Sequence, residues 1–131
     1  MDFPLESLHS NAFKAAQAAE CANEQGKFWE MRDRLFQNQK TLDAWSSHAQ
    51  AVGLDAARYD ACLSSGKQAP VVRRDMEQAQ GAGATGTPWF FLGPTDPASS
   101  RLKTTTSIHG AVPYAAFKAA IDKLLEAGAG H

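Results

Sequence analysis

Cysteine is the residue type in this sequence best suited to covalent chemistry, and the chain has two, Cys21 and Cys62. A thiol becomes a redox nucleophile when it is ionised, which proteins favour at the start of a helix or in a Cys-x-x-Cys pair. Cys21 lies inside the alanine-rich helical pattern "AAECANEQG", and Cys62 lies in a later one, "YDACLSSG". Because neither position has that setting, we predict that this chain contains no catalytic residue of its own.

The other side chains that bind metals or cofactors form no recognisable set. The histidines are scattered, and no spacing of Cys and His matches a zinc site. The glycine-rich "GAGATG" precedes an apolar run rather than a helix, the reverse of a phosphate-binding loop. We therefore predict no metal and no cofactor. The four histidines are His9, His48, His109 and His131.

Composition excludes several classes of partner. The 13 basic and 14 acidic side chains give a formal net charge of −1, and neither sign collects in a run. This balance predicts no nucleic-acid partner and no membrane-surface partner. Apolar runs such as "WFFL" are too short to span a bilayer. The opening "MDFPLESLH" lacks the basic start and apolar stretch of a secretion signal, so the sequence alone does not exclude the cytoplasm.

Helical patterns run from about residue 10 to residue 81, in five segments of a chain whose 131 residues suit one domain. Ser10 or Asn11 begins the first segment, and Asp55 is a capping residue for the fourth, which should end at Gly66. In "KFWEMRDRLFQNQ", Phe28, Met31 and Leu35 form one apolar stripe, with Trp29 and Phe36 beside it. For Trp29 and also for Trp89, core packing is the expected role.

Strand patterns appear only near the end of the chain. "WFFLG" and "KTTTSIHG" flank the turn-rich "PTDPASS", which predicts a β-hairpin with a long loop. Two strands alone are marginal in water, so the hairpin needs a partner, and residues 2–5 resemble the end of a strand. "VPYAAFKAAIDKLLEAG" predicts a closing amphipathic helix. Its expected inward residues are Ala116, Phe117, Ala120, Ile121, Leu124 and Leu125.

Four stretches, taken together and in order, resemble the DsbA-like thiol-disulfide oxidoreductases of the thioredoxin superfamily. They are "FPLESLHSNAFKAAQAAECANEQGKFWEMRDRLFQNQ", "GLDAARYDACLSSG", "GATGTPWFFLG" and "IHGAVPYAAFKAAID". The resemblance implies an α/β fold, mostly helical, that is an incomplete thioredoxin-like fold with a DsbA-type helical insertion and a C-terminal β-hairpin and helix. It implies the end of a thioredoxin-fold strand and a connection at residues 1–9, the helical insertion at 10–82, and the C-terminal half of the fold at 83–131.

The resemblance also implies site residues. Pro88 corresponds to the family's cis-proline, and the backbone of Thr87 to the group that pairs with an extended substrate. Some family members carry a cysteine pair at positions like Cys21 and Cys62, which implies a structural disulfide. Two buried thiols are the alternative for this pair. The family's Cys-x-x-Cys lies in an N-terminal part that these residues do not contain.

Two functions follow from the resemblance. One is a DsbA-like oxidoreductase that oxidises or isomerises protein disulfides, of which this chain is a truncated part, inactive alone. The alternative is a redox-inactive module that dimerises or complements a partner chain, since a hairpin without its neighbouring strands exposes apolar surface. The implied partners are protein thiols or disulfides and a second or complementing chain. The implied compartment is periplasmic or otherwise extracytoplasmic.

Overall fold

A computed structural model of the chain describes residues 1–128, which divide into two compact units, Met1–Gly83 and a second unit that begins at Ala84. The first unit is helical and the second contains a two-stranded sheet and a helix. The first comprises α1 (Ala12–Asn23), α2 (Phe28–Gln37), a 3-10 helix (Gln39–Thr41), α3 (Trp45–Ala51), α4 (Ala56–Ser65) and α5 (Ala69–Gly81). The second comprises β1 (Trp89–Leu92), β2 (Thr106–His109) and α6 (Tyr114–Gly128). The prediction of a mostly helical chain with a C-terminal hairpin and helix is confirmed.

Local chemistry sets both ends of α4. The Asp55 carboxylate accepts a hydrogen bond from the Arg58 backbone N–H at 3.0 Å, which satisfies one of the unpaired donors of the first turn. At the other end, Gly66 has a φ of +66°, a left-handed conformation that a residue without a Cβ adopts at little cost. Both helix ends predicted for this segment are therefore confirmed.

The Asp55 cap provides a local test of this helix. Asp55→Ala removes the capping carboxylate but keeps the Asp55 backbone, whose N–H donates a hydrogen bond to the Gln25 side-chain oxygen at 2.9 Å. We expect the free energy of unfolding to fall by about 1 kcal/mol, measured by urea denaturation. Asp43→Ala is the matched control, because the Asp43 carboxylate makes no hydrogen bond within residues 1–128. Equal losses in the two variants would contradict a capping role.

The core of the first unit lies between α1, α2, α3 and α4. Alanines of α1 let its neighbours approach closely, and the Met31 side chain of α2, with 0% exposure, fills the space between them. Burial raises the pKa of the Tyr59 phenol far above its ordinary value, so this core residue is neutral. The buried cluster comprises Ala18, Cys21, Ala22, Met31, Leu35, Ala49, Leu54, Tyr59, Cys62 and Leu63.

Helix α2 buries one face only. Met31 and Leu35 lie in the core as predicted, but Trp29 is 66% exposed and Phe36 is 64% exposed. The expectation that Trp29 packs in the core is therefore wrong. The physical reason is that α2 packs against α1 and α3, which cover the Met31 stripe and leave the neighbouring stripe open. The Arg32 guanidinium lies over both exposed rings, 5.4 Å from the Trp29 centroid and 5.0 Å from that of Phe36.

The second unit is an antiparallel hairpin with a helix on one face. Trp89 pairs with His109 and Leu92 with Thr106, and the Phe90 ring meets Phe117 of α6 edge to face at 4.8 Å. None of the six side chains predicted to point inward from α6 is fully buried, and Leu125 is 66% exposed. Two strands of four residues are too small a surface to cover the apolar stripe of a helix of 15 residues.

The segment before α1 is not a strand. Residues 1–5 have no regular structure, and the sheet among residues 1–128 consists of β1 and β2. The strand end expected at residues 2–5 is therefore not observed. The Asp2 backbone N–H instead donates to the Asp75 carboxylate of α5 at 2.9 Å, because a lone segment must satisfy its backbone groups with whatever side chains lie nearby.

Candidate functional site

The Thr87–Pro88 step lies directly before β1 and is exposed to solvent. The peptide bond between the two residues is cis. The Pro88 carbonyl accepts a hydrogen bond from the Gly110 N–H at 2.9 Å, which ties the step to the end of β2. Within residues 1–128, the backbone N–H and C=O of Thr87 make no hydrogen bond. One donor and one acceptor are thus available to an extended segment from another chain.

The side chains next to this step form an aromatic surface on one face of the hairpin. Trp89 and Phe91 point to the same face because they are two residues apart on β1. The rings of Trp89 and His109 stack with centroids 3.5 Å apart, and Ser107 Oγ lies 2.9 Å from His109 Nε2. His109 ends β2, in agreement with its expected role as a strand-end residue. Trp89 is half-buried rather than a full core residue.

Cys21 and Cys62 form a disulfide that links α1 to α4. Their Cα atoms are 5.8 Å apart, and the residues are 1% and 3% exposed. Both sulfurs lie inside the apolar cluster of the first unit. Since the sequence has no other cysteine, none of its thiols is free to act as a nucleophile in this state.

One residue near the disulfide was not singled out from the sequence. The Glu24 carboxylate lies 3.7 Å from Cys62 Sγ. Glu24 follows Cys21 by three residues, a spacing that puts two side chains on the same face of a helix. That spacing was the available signal, but the partner residue Cys62 comes from another helix and could be identified only from the tertiary structure.

In the part of the chain that the structure describes, the remaining surface contains no candidate metal site. Among residues 1–128 no group of three or more His, Cys, Asp or Glu side chains is arranged to hold a metal ion. His131 lies outside the described residues. An open depression of about 300 Å³ lies in the first unit, and its lining residues are Glu20, Asn23, Gly26, Phe28 and Trp29. No helix in the described part of the chain is both long and apolar enough to cross a membrane.

The family model for DSBA-like thioredoxin domains matches residues 1–122. The chain belongs to this family. The match confirms the resemblance to DsbA-like proteins and the thioredoxin-like fold class. For this DsbA-like domain, the hairpin, the Thr87–Pro88 step before it and the preceding helices are therefore parts of a thiol-disulfide oxidoreductase-like fold.

The domain is also similar to segments of longer curated proteins. It is 41% identical over 108 residues to a Na(+)/H(+) antiporter NhaA 1 of Mycolicibacterium vanbaalenii, an alignment that covers 74% of this chain and 17% of that protein. It is 37% identical over 91 residues to a Na(+)/H(+) antiporter NhaA 3 of Salinispora tropica, with 68% and 14% covered. The chain spans less than a fifth of the length of these relatives, and the antiporter name describes those whole proteins.

Proposed function

We propose that this DsbA-like domain takes part in thiol-disulfide exchange that oxidises or isomerises the disulfides of protein substrates. Its role in this exchange is to bind the substrate chain. The observation that carries the proposal is the exposed Thr87 backbone, whose N–H and C=O make no hydrogen bond within residues 1–128. An extended substrate segment would donate its N–H to the Thr87 carbonyl and accept the Thr87 N–H. Each such hydrogen bond contributes about 1 kcal/mol net.

The electron transfer in this proposal belongs to a Cys-x-x-Cys pair outside the 131 residues. Exchange begins when a thiolate attacks a disulfide sulfur, forms a mixed disulfide and expels the other sulfur as a thiolate. Cys21 and Cys62 are 41 residues apart in the sequence, so they do not form a Cys-x-x-Cys pair, and they are joined to each other in a buried disulfide. Neither therefore supplies that thiolate. The domain's contribution is to fix the substrate's backbone next to the reacting sulfur.

Partners and compartment follow from the same proposal. The substrates are proteins with thiols or disulfides, and the compartment is an oxidising one outside the cytoplasm, where a structural disulfide persists. Tyr114, Ile121 and Leu125 of α6 are exposed, and a second copy or a complementing chain would cover them. Family membership favours the oxidoreductase over a redox-inactive module.

Backbone pairing at Thr87 can be tested by NMR on the ¹⁵N-labelled chain. An extended apolar peptide with one S-methylated cysteine is expected to bind with a dissociation constant on the order of millimolar and to shift the amide resonances of Thr87 and Trp89. The matched control is the same peptide with alternate backbone nitrogens methylated, which keeps the side chains and removes the donors. Equal shifts with both peptides, or shifts confined to the first unit, would show that Thr87 does not bind substrate by its backbone.

A further inference from the structure

A carboxylate is held against the Cys21–Cys62 disulfide. Glu24 lies at the C-terminal end of α1, and its Oε1 is 3.7 Å from Cys62 Sγ. This is a van der Waals contact, because a disulfide sulfur carries no proton to donate. The same oxygen accepts a hydrogen bond from the Gln68 side-chain amide, and Oε2 lies 2.7 Å from Lys67 Nζ. Two residues of the turn before α5 therefore fix the carboxylate beside the sulfur.

The charge of Glu24 is present at neutral pH. The pKa of this carboxyl lies below its ordinary value, chiefly because the Lys67 ammonium donates a hydrogen bond to it. The Glu24 side chain is 33% exposed, whereas Cys62 is 3% exposed. A reagent that reaches the Cys62 sulfur from solvent therefore comes close to a negative charge.

We propose that Glu24 protects the disulfide from thiolates through this charge. A thiolate that attacks Cys62 Sγ forms a new S–S bond there, breaks the existing one and releases Cys21 as a thiolate, which water protonates. In this route the incoming anion approaches a sulfur that already lies beside Glu24.

The alternative route meets the same charge. A thiolate that attacks Cys21 expels Cys62 as the leaving group, so negative charge develops on the sulfur 3.7 Å from the Glu24 carboxylate. Like charges at this separation repel, and Cys62, on the inner side of the pair, is only 3% exposed. In either route a second thiol must then resolve the mixed disulfide. Both directions of attack are therefore slowed, and the disulfide between α1 and α4 resists exchange with external thiols. This inference concerns the chain's own disulfide and does not depend on the proposed function.

The test compares the reduction of the disulfide in the folded full chain by three thiols of different charge. They are cysteamine, which is cationic, neutral 2-mercaptoethanol and anionic 2-mercaptoethanesulfonate, used at equal thiolate concentration. Samples are quenched with acid, alkylated and analysed by mass spectrometry. Glu24→Gln is expected to accelerate reduction by the anionic thiol about tenfold, with a smaller effect for the neutral thiol and the smallest for the cationic one. An acceleration that is the same for all three thiols would overturn the proposal.

A second variant distinguishes an effect of the Glu24 charge from a purely structural role of Glu24 in holding the turn before α5. Lys67→Gln breaks the ion pair but leaves the carboxylate, so we expect reduction by the anionic thiol to slow about threefold. If Glu24 acted only by holding the turn in place, Lys67→Gln and Glu24→Gln would both accelerate reduction, and the proposal would fail.

A neutral phosphine, tris(3-hydroxypropyl)phosphine, brings no negative charge to the sulfur. Only the leaving thiolate is then sensitive to Glu24, so the rate of reduction by the phosphine should rise less in Glu24→Gln than that of the anionic thiol. A rise equal to that of the anionic thiol would mean that access had changed and would overturn the proposal.

Discussion

Replacing Cys21 and Cys62 together by alanine is expected to lower the free energy of unfolding of the helical unit by about 4 kcal/mol. The disulfide joins residues 41 positions apart, so it closes a long loop in the unfolded chain and lowers the entropy of that chain. Without the disulfide the unfolded chain regains this entropy. The measurement is urea denaturation followed by far-ultraviolet circular dichroism, with and without reductant. Wild-type chain in reductant should lose stability to a similar degree, and the variant should not respond to reductant.

The single variants provide the control for the cross-link. Cys21→Ala alone already removes the disulfide, and so does Cys62→Ala, so each should cost nearly as much as the pair. Losses that simply add would show that the two sulfurs contribute as separate core groups.

In an insulin-reduction assay with dithiothreitol, we expect no activity above background in wild type or double variant. Activity present in wild type and lost in the double variant would make one of these cysteines a nucleophile.

Gly93→Ala is expected to disrupt the hairpin and to destabilise the second unit by about 3 kcal/mol. A Cβ at this position would overlap the Lys103 carbonyl oxygen and lie 2.9 Å from its carbonyl carbon. These are backbone atoms, so a rotamer change cannot relieve the overlap. The approach is close because the Thr105 N–H donates to the Leu92 carbonyl, and the Lys103 N–H to the Pro94 carbonyl, each at 2.9 Å.

Gly86→Ala is the matched control for the hairpin, because nothing lies within 4 Å of a Cβ built at Gly86. Its stability should stay within about 0.5 kcal/mol of wild type. The comparison is made by thermal denaturation and by the dispersion of the amide resonances of β1 and β2. A Gly93→Ala chain that kept the cross-strand contacts of Phe90 with Ile108 would contradict the close approach at Gly93.

The candidate site was only partly predictable. Thr87 and Pro88 came from a resemblance in the motif "GATGTPWFFLG", and their role in binding substrate stays a prediction. The sequence alone is compatible with a disulfide or with two buried thiols, because the spacing of Cys21 and Cys62 along the chain does not reveal how far apart they are in space. Glu24 gained significance only when α1, α4 and the turn after it were placed together, since its contact joins groups 38 residues apart.

The sequence by itself determined the order of the helices, both ends of α4 and the family. Asp55 and Gly66 act within one turn of their own helix, so a short stretch contains all the information that places them. Burial was decided by the tertiary structure. Trp29 on α2 and Leu125 on α6 satisfy the apolar patterns of amphipathic helices, yet both are exposed. Periodicity states which side chains share a face, but the number and size of the neighbouring elements decide whether that face is covered.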